Sequence, residues 1–236
     1  MNDDPRRAPA STGGKYAEWV SLLREDSAYL RTAAAPAYWT LAPYYVGQYT
    51  ECACSLASAV MVVNAARAGH ARSAGAKLVT QQGLLDRLDS AEWRTGVGQD
   101  DGKGVGLLRL AKLLTGSLTA AGAGPAEIEA VPLPQGTADD LARLRQVLVE
   151  GETIPGLLVI ANFYMAAVIG EGDYGHFSPI GAFDPHRDRV LILDVYRVEL
   201  EPYWVPLRRL FEGMATVSQT DGEARGYLTI RLSERR

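Results

Sequence analysis

Cysteine is scarce in this chain, with two among 236 residues, and only one alanine separates them. A disulfide framework is excluded, and a bridge between Cys52 and Cys54 would be badly strained, so both thiols are expected reduced. Histidine is nearly as scarce: His70, His176 and His186 are the three present. Without a second Cys pair or a His-x-x-x-His spacing, Cys52, Cys54 and a histidine make a poor zinc signature, and no metal and no cofactor are expected. Long apolar runs are missing, as is the charged-then-apolar start of a secretion signal, so no membrane partner is expected and the cytoplasm is the expected compartment. Basic excess is missing too: the net charge of -4 argues against nucleic acid as a partner. No internal repeat is visible. What remains, 47% hydrophobic and 22% charged residues, is ordinary for a globular protein of one domain or two closely packed lobes.

The chemistry-bearing stretch is Gln48-Tyr49-Thr50-Glu51-Cys52-Ala53-Cys54-Ser55-Leu56-Ala57-Ser58, which runs into Ala59-Val60-Met61-Val62-Val63-Asn64-Ala65. Small residues crowd the turn after Cys54, and Leu56, Val60 and Val63 recur at helical spacing, so a loop delivers Cys54 to the first turn of a buried helix. The positive end of the helix dipole favours thiolate there, which makes Cys54 a candidate nucleophile. Gln48, six residues upstream, could stand beside the Cys54 amide and donate to an oxyanion. A cysteine acyl-transfer site also needs a histidine and an orienting carboxylate or amide. His176 lies in Tyr174-Gly175-His176-Phe177-Ser178-Pro179-Ile180-Gly181, and eighteen residues on Asp194 closes Val190-Leu191-Ile192-Leu193. A carboxylate ending a buried strand needs a hydrogen-bond donor, which an imidazole on the neighbouring strand would supply.

Along the chain, residues 1 to 14 are polar, rich in Pro and Gly, and read as a disordered lead-in. Tyr16 to Thr32 has helix-compatible spacing, Pro36 and Pro43 frame an extended aromatic segment from Tyr38 to Tyr45, and the nucleophile helix should end near Gly69. Leu84 to Trp93 reads as one short helix, and residues 96 to 106 read as a flexible Gly-rich loop. That loop lacks the preceding strand and Lys-Ser/Thr ending of a phosphate cradle. A helix from Leu107 to Leu114, a strand from Ile128 to Leu133 inside a connection over 116 to 136, and an amphipathic helix from Asp139 to Glu150 follow. Four strand-like segments then appear: 156 to 163, 177 to 183, 189 to 196 and 226 to 232. Helices first and antiparallel strands second imply an α+β fold, with a helical lobe over about 15 to 150 and a sheet lobe over about 151 to 236. Cys54 comes from one and His176 and Asp194 from the other, so the active site is expected in the cleft between them.

Each residue also has a bland reading. Cys54 could be a small core residue, His176 a satisfied core histidine, and Asp194 a turn cap. Cys52 is a rival nucleophile, but it precedes the helix. His70, past a helix end, and His186, in a turn, read as solvated.

Several separated motifs, in order, resemble the catalytic domain of phytochelatin synthase, most closely its short bacterial members. They are Gln48-x5-Cys54-x-Leu56-Ala57-Ser58 with Val62-Val63-Asn64-Ala65, Gly175-His176-Phe177-Ser178-Pro179-Ile180-Gly181, Leu191-Ile192-Leu193-Asp194-Val195-x-Arg197, Trp204-Val205-Pro206-Leu207 and Arg225-Gly226-Tyr227. The likeness spans roughly residues 20 to 232. It implies a papain-like cysteine protease fold with Cys54 as nucleophile, His176 as base and acid, Asp194 as orienter and Gln48 as oxyanion donor. In that family the thiolate attacks the Cys–Gly amide of glutathione, releases glycine and passes the γ-glutamylcysteinyl group to water or a second glutathione. Homodimers occur among bacterial relatives.

The chain departs from the family pattern. Ser55 replaces the usual glycine after the nucleophile, and Glu51-Cys52-Ala53 replaces the usual Pro-Ala-aromatic. Met165 stands where the family has an arginine, and Leu200 and Glu201 stand where it carries a tyrosine before its prolines. The residues expected to touch substrate are Arg197, Ser55, Tyr164, Met165 and Gly175. Met165 and Leu200 cannot bind carboxylates as arginine and tyrosine would, which leans the donor toward one less anionic than glutathione. The family's metal-sensing, cysteine-rich C-terminal extension is expected to be absent. The expected function is thus a thiol acyltransferase or amidohydrolase using glutathione or another peptide-like amide or thioester, with an amine, a thiol or water as acceptor. The alternatives are a peptidase acting on peptides and a non-catalytic binder on the same scaffold.

Overall fold

A computed structural model describes residues 14–68, 76–88, 90–98 and 102–233. The lead-in up to residue 13, His70 and residues 99–101 of the Gly-rich loop lie outside the described residues. The strands are β1 (Ser21–Leu22), β2 (Ala126–Pro132), β3 (Leu157–Tyr164), β4 (Gly175–Asp184), β5 (Arg189–Ile192), β6 (Tyr203–Pro206) and β7 (Gly226–Leu232). The helices are α1 (Ala28–Thr32), α2 (Pro36–Leu41), α3 (Cys54–Ala68), α4 (Gln81–Leu88), α5 (Ala91–Gly96), α6 (Leu107–Ala120), α7 (Ala138–Gly151), α8 (Met165–Ile169) and α9 (Leu207–Met214). All pairings are antiparallel in one seven-stranded sheet, ordered β1-β6-β5-β4-β3-β7-β2, so the α+β expectation is met. Among the described residues no helix is long and apolar enough to cross a membrane.

The sheet separates two apolar clusters. Alternation along β5 and β6 sends Leu191 and Trp204 to one cluster and Val190, Ile192, Tyr203 and Val205 to the other. The first cluster holds α3, α4 and α6, the second α7, α8 and α9. The central helix α3 is buried on every side from Cys54 to Ala66, which is why it is written in Ala, Val, Leu, Met and Ser. Its one amide, Asn64, is satisfied by reciprocal bonds of 2.9 Å to the N–H and carbonyl of Val79, tying the chain after the helix back onto it.

Several local expectations are corrected. Tyr16 to Thr32 is not one helix: Leu22 pairs with Tyr203 at the sheet edge, and only Ala28–Thr32 is helical. The supposedly extended segment from Tyr38 is α2 with a 3-10 turn over Ala42–Tyr44, because Pro36 sits in the first helical turn, where its missing N–H costs nothing. Leu84 to Trp93 is two helices, the second capped by the Ser90 hydroxyl accepting from the Trp93 amide. The strand β6 and the helices α8 and α9 were not anticipated. The sheet also ignores a boundary at 150, since β1 and β2 join it from the earlier part of the chain.

One irregularity places the catalytic candidates. Between Ile180 and Ala182 the β4–β5 register slips by one residue, from Ala182↔Leu191 to Ile180↔Ile192. The Leu193 amide continues the new register by donating to the Pro179 carbonyl at 2.9 Å. Asp194 therefore stands opposite Ser178, on the face shared with His176. Without the slip it would lie opposite Pro179, on the other face. Gly181 sits in the bulge, where an added Cβ would come within 3.0 Å of Leu193.

Candidate active site

Cys54 begins α3. The Ala57 amide makes the helix's first bond, to the Ala53 carbonyl, so the amides of Cys54, Ser55 and Leu56 precede the intrahelical ladder and point from its positive end. His176 comes from the start of β4 and is 2% exposed; Asp194 follows β5 and is fully buried. The imidazole Nε2 lies 3.0 Å from Asp194 Oδ1 and 3.0 Å from Ser178 Oγ, which also accepts from the Val195 amide at 3.2 Å. Nε2 being committed, Nδ1 is the nitrogen left for Cys54, whose thiol is a hydrogen-bonding neighbour of the ring. Phe163 meets the imidazole edge-on at 5.6 Å.

Burial works against a charged imidazole here, but the carboxylate of Asp194 and the sulfur of Cys54 overcome it and push His176 up from 6.5 to about 10. The ring thus holds its proton through neutral pH. Asp194 gathers further donors: the Tyr196 amide to Oδ1 at 2.9 Å and the Tyr203 phenol to Oδ2 at 3.2 Å. The Tyr45 phenol caps its backbone carbonyl. At Cys52, burial and the neighbouring Cys54 and Glu51 push the thiol up, and it donates to the Gly102 carbonyl. It remains a thiol beside the site.

Gln48 reaches the site, its Nε2 donating to the Glu51 carbonyl at 3.0 Å and leaving its second hydrogen without an acceptor among the described residues. Gln48, Cys54, Tyr164 and Gly175 line a cavity of about 500 Å³, bounded also by Glu51, Cys52, Asp173, Tyr174 and Tyr196. A smaller cavity of about 80 Å³ shares Cys54 and Gly175 and carries Lys103, Asn162, Asp221, Glu223 and Arg225. Arg225 is 7% exposed and lies against Gly175, where a Cβ would come within 2.9 Å of its Nη2. Its Nη1 is spent on Thr216 Oγ1 and the Val217 carbonyl, which leaves Nε and Nη2 on the cavity side.

Three of the expected substrate contacts fall elsewhere. Met165 is fully buried in the second apolar cluster at the start of α8, and Leu200 lies in the same cluster, so neither wall of the cavity is theirs. Arg197 is exposed and stacks on Tyr45 at 4.7 Å, outside both cavities. Ser55 is buried beneath the nucleophile, and its hydroxyl has no partner among the described residues. His186 is exposed in the β4–β5 turn, where its amide donates to Asp184. Conversely, Ser178, Asn162, Tyr203, Lys103 and Arg225 were not singled out. Ser178 had a signal, its two-residue spacing from His176 on a strand. Arg225 stood in the Arg225-Gly226-Tyr227 motif, whereas Lys103, in the Gly-rich loop, had no signal.

A sequence profile of the family described as Phytochelatin synthase matches residues 22–227. Among curated proteins, the chain is 30% identical to glutathione gamma-glutamylcysteinyltransferase 1 of Arabidopsis thaliana over 87% of its own length and 39% of the relative. It is likewise 30% identical to glutathione gamma-glutamylcysteinyltransferase 1 of Lotus japonicus over 84% of its length and 36% of the relative. The Schizosaccharomyces pombe glutathione gamma-glutamylcysteinyltransferase is 36% identical over 30% of the chain. The chain thus spans less than half the length of these relatives.

Proposed function

The chain belongs to the phytochelatin synthase family, and from that premise we propose that it is a papain-like cysteine acyltransferase that forms a thioester on Cys54. The observation that carries the reading is the chain of contacts Cys54–His176–Asp194, buried behind a cysteine that lines a cavity of about 500 Å³, a size suited to a small peptide. In this reading the Cys54 thiolate attacks the scissile amide carbon, forming a C–S bond. Charge moves onto the carbonyl oxygen, where the Cys54 amide and the second Gln48 Nε2–H donate to it. His176 gives its proton to the departing nitrogen as the C–N bond breaks, leaving the acyl thioester. It then takes a proton from the acceptor, whose attack restores the thiolate. Asp194 holds the ring through Nε2 in both steps.

The relatives' name describes removal of a γ-glutamylcysteinyl group from glutathione, which leaves glycine. Glutathione suits this cavity better than the substitutions at 165 and 200 alone suggest, because those side chains lie in the core while Arg225 and Lys103 face the smaller cavity. Asp221 and Glu223 face the same space, so it offers both signs of charge to the zwitterionic γ-glutamyl end of a donor. The chemistry requires a reducing compartment, in which both thiols stay free.

The test is intact-protein mass spectrometry of wild type and Cys54→Ala after incubation with glutathione, with free glycine assayed in parallel. A γ-glutamylcysteinyl adduct on wild type alone, with glycine released, is the expected result. No adduct and no glycine from a protein whose Cys54 still alkylates would sink the glutathione reading.

A further inference from the structure

We propose that Tyr203 is a positioning residue for this centre: its phenol holds one oxygen of Asp194 so that the other stays on His176. The proposal rests on the acyl-transfer reading above for its consequence, though not for its geometry. Register puts Tyr203 opposite Ile192 in the β5–β6 pair, and Asp194 lies two residues beyond Ile192, so Tyr203 and Asp194 are diagonal neighbours on one face. Both are fully buried. Asp194 Oδ1 receives the imidazole and the Tyr196 amide, and the Tyr203 phenol, at 3.2 Å, is the side-chain donor that reaches Oδ2 among the described residues.

A buried carboxylate with one bare oxygen has a reason to turn, and turning would pull Oδ1 off the ring. The Tyr203 bond removes that reason. The phenol is itself fixed, since its ring packs in the second cluster and lies 6.0 Å from that of Tyr16. It stays a donor because burial and the neighbouring Asp194 hold it in its neutral form far above the ordinary tyrosine range. The ionisable groups facing Tyr203 are Asp194, Tyr16 and Tyr174. Those facing His176 are Asp194 and Cys54, with Tyr174 meeting the ring at 6.4 Å. Of these, Asp194 is the one that both groups touch.

The experiment compares Tyr203→Phe with wild type by the pH profile of Cys54 alkylation with iodoacetamide, a readout that needs no acyl donor. Phenylalanine keeps the ring and its packing and deletes only the donor. Withdrawing a donor from the ionised carboxylate makes it easier to discharge, so the acid edge of thiolate reactivity should move upward by about one pH unit. The alkaline edge, where the His176 imidazole gives up its proton, should stay in place. Unchanged edges, with or without lower amplitude, would overturn the proposal, as would both edges moving together. Thermal unfolding of the same variant, and Tyr203→Leu in parallel, separate loss of the fold from loss of the bond: only the edge shift common to both folded variants counts in favour. Failure of glutathione turnover in wild type would count against the acyl-transfer reading and leave this result standing.

Discussion

The proposed catalytic trio and the walls around it are built differently. Cys54, His176 and Asp194 are 7%, 2% and 0% exposed and are placed by elements packed into the two cores: the first turn of α3, the start of β4 and the end of β5. The cavity walls come largely from irregular segments, with Lys103 and Gly104 before α6 and the run from Ser218 to Arg225 before β7. In the proposed reading, reactivity is thus fixed by packing, and recognition is carried on connections that can vary without disturbing it.

The strongest test of that division removes the base. His176→Gln should cut thioester formation by roughly 10³-fold or more in single-turnover assays while the protein still folds. It should also change the pH dependence of stability. His176 binds its proton up to about 10 when folded against an ordinary 6.5, so its contribution is complete below 6.5 and is lost as pH rises toward 10. Urea titrations across that window should show stability falling more steeply in wild type than in His176→Gln. Equal slopes would place the imidazole's charge elsewhere.

A substitution far from the sulfur should act through the register. Gly181→Val would drive a side chain into Leu193, which an added Cβ already approaches to 3.0 Å. Overpacking of this kind costs about 1–3 kcal/mol, and displacement of the following Asp194 should lower the acylation rate by on the order of 10²-fold. Denaturant midpoints and burst kinetics on one sample would show both. A loss of stability with a normal rate would separate the bulge from the site.

How much of this was legible follows the same division. The helix behind Cys54, the strands around His176 and the carboxylate ending at Asp194 were readable because burial imposes small-residue runs and strand patterns that a sequence displays. The bulge at Gly181 was not, since a one-residue slip leaves no periodic trace, and with it went the pairing of Asp194 with Ser178 and Tyr203. Met165 was misplaced for a related reason. It follows Tyr164, a cavity residue, but the chain turns into α8 at that point and sends the next side chain into the opposite core.

Two arginines sharpen the comparison on the recognition side. Arg225 borders both cavities with Nε and Nη2 uncommitted among the described residues, and its guanidinium suits a carboxylate approached edge-on. Arg225→Lys should raise KM for the donor about tenfold with kcat nearly kept, equivalent to about 1.4 kcal/mol. A fall in kcat at constant KM would instead make Arg225 part of the reacting centre.

Arg197, the arginine that the sequence pattern favours, should matter least. It is exposed and lies on the Tyr45 ring at 4.7 Å, outside both cavities, while the Tyr45 phenol caps the Asp194 carbonyl. Its route to the centre is therefore indirect, through an aromatic ring that packs against the first core. An exposed cation–π contact is worth about 0.5–1 kcal/mol, so Arg197→Ala should lower stability by no more than that and leave KM within about twofold. Steady-state kinetics on Arg197→Ala and Arg225→Lys side by side would decide the matter. If Arg197→Ala raised KM as much as Arg225→Lys, the donor would extend past the cavity to the outer face of Tyr45, and recognition would not be confined to the loops.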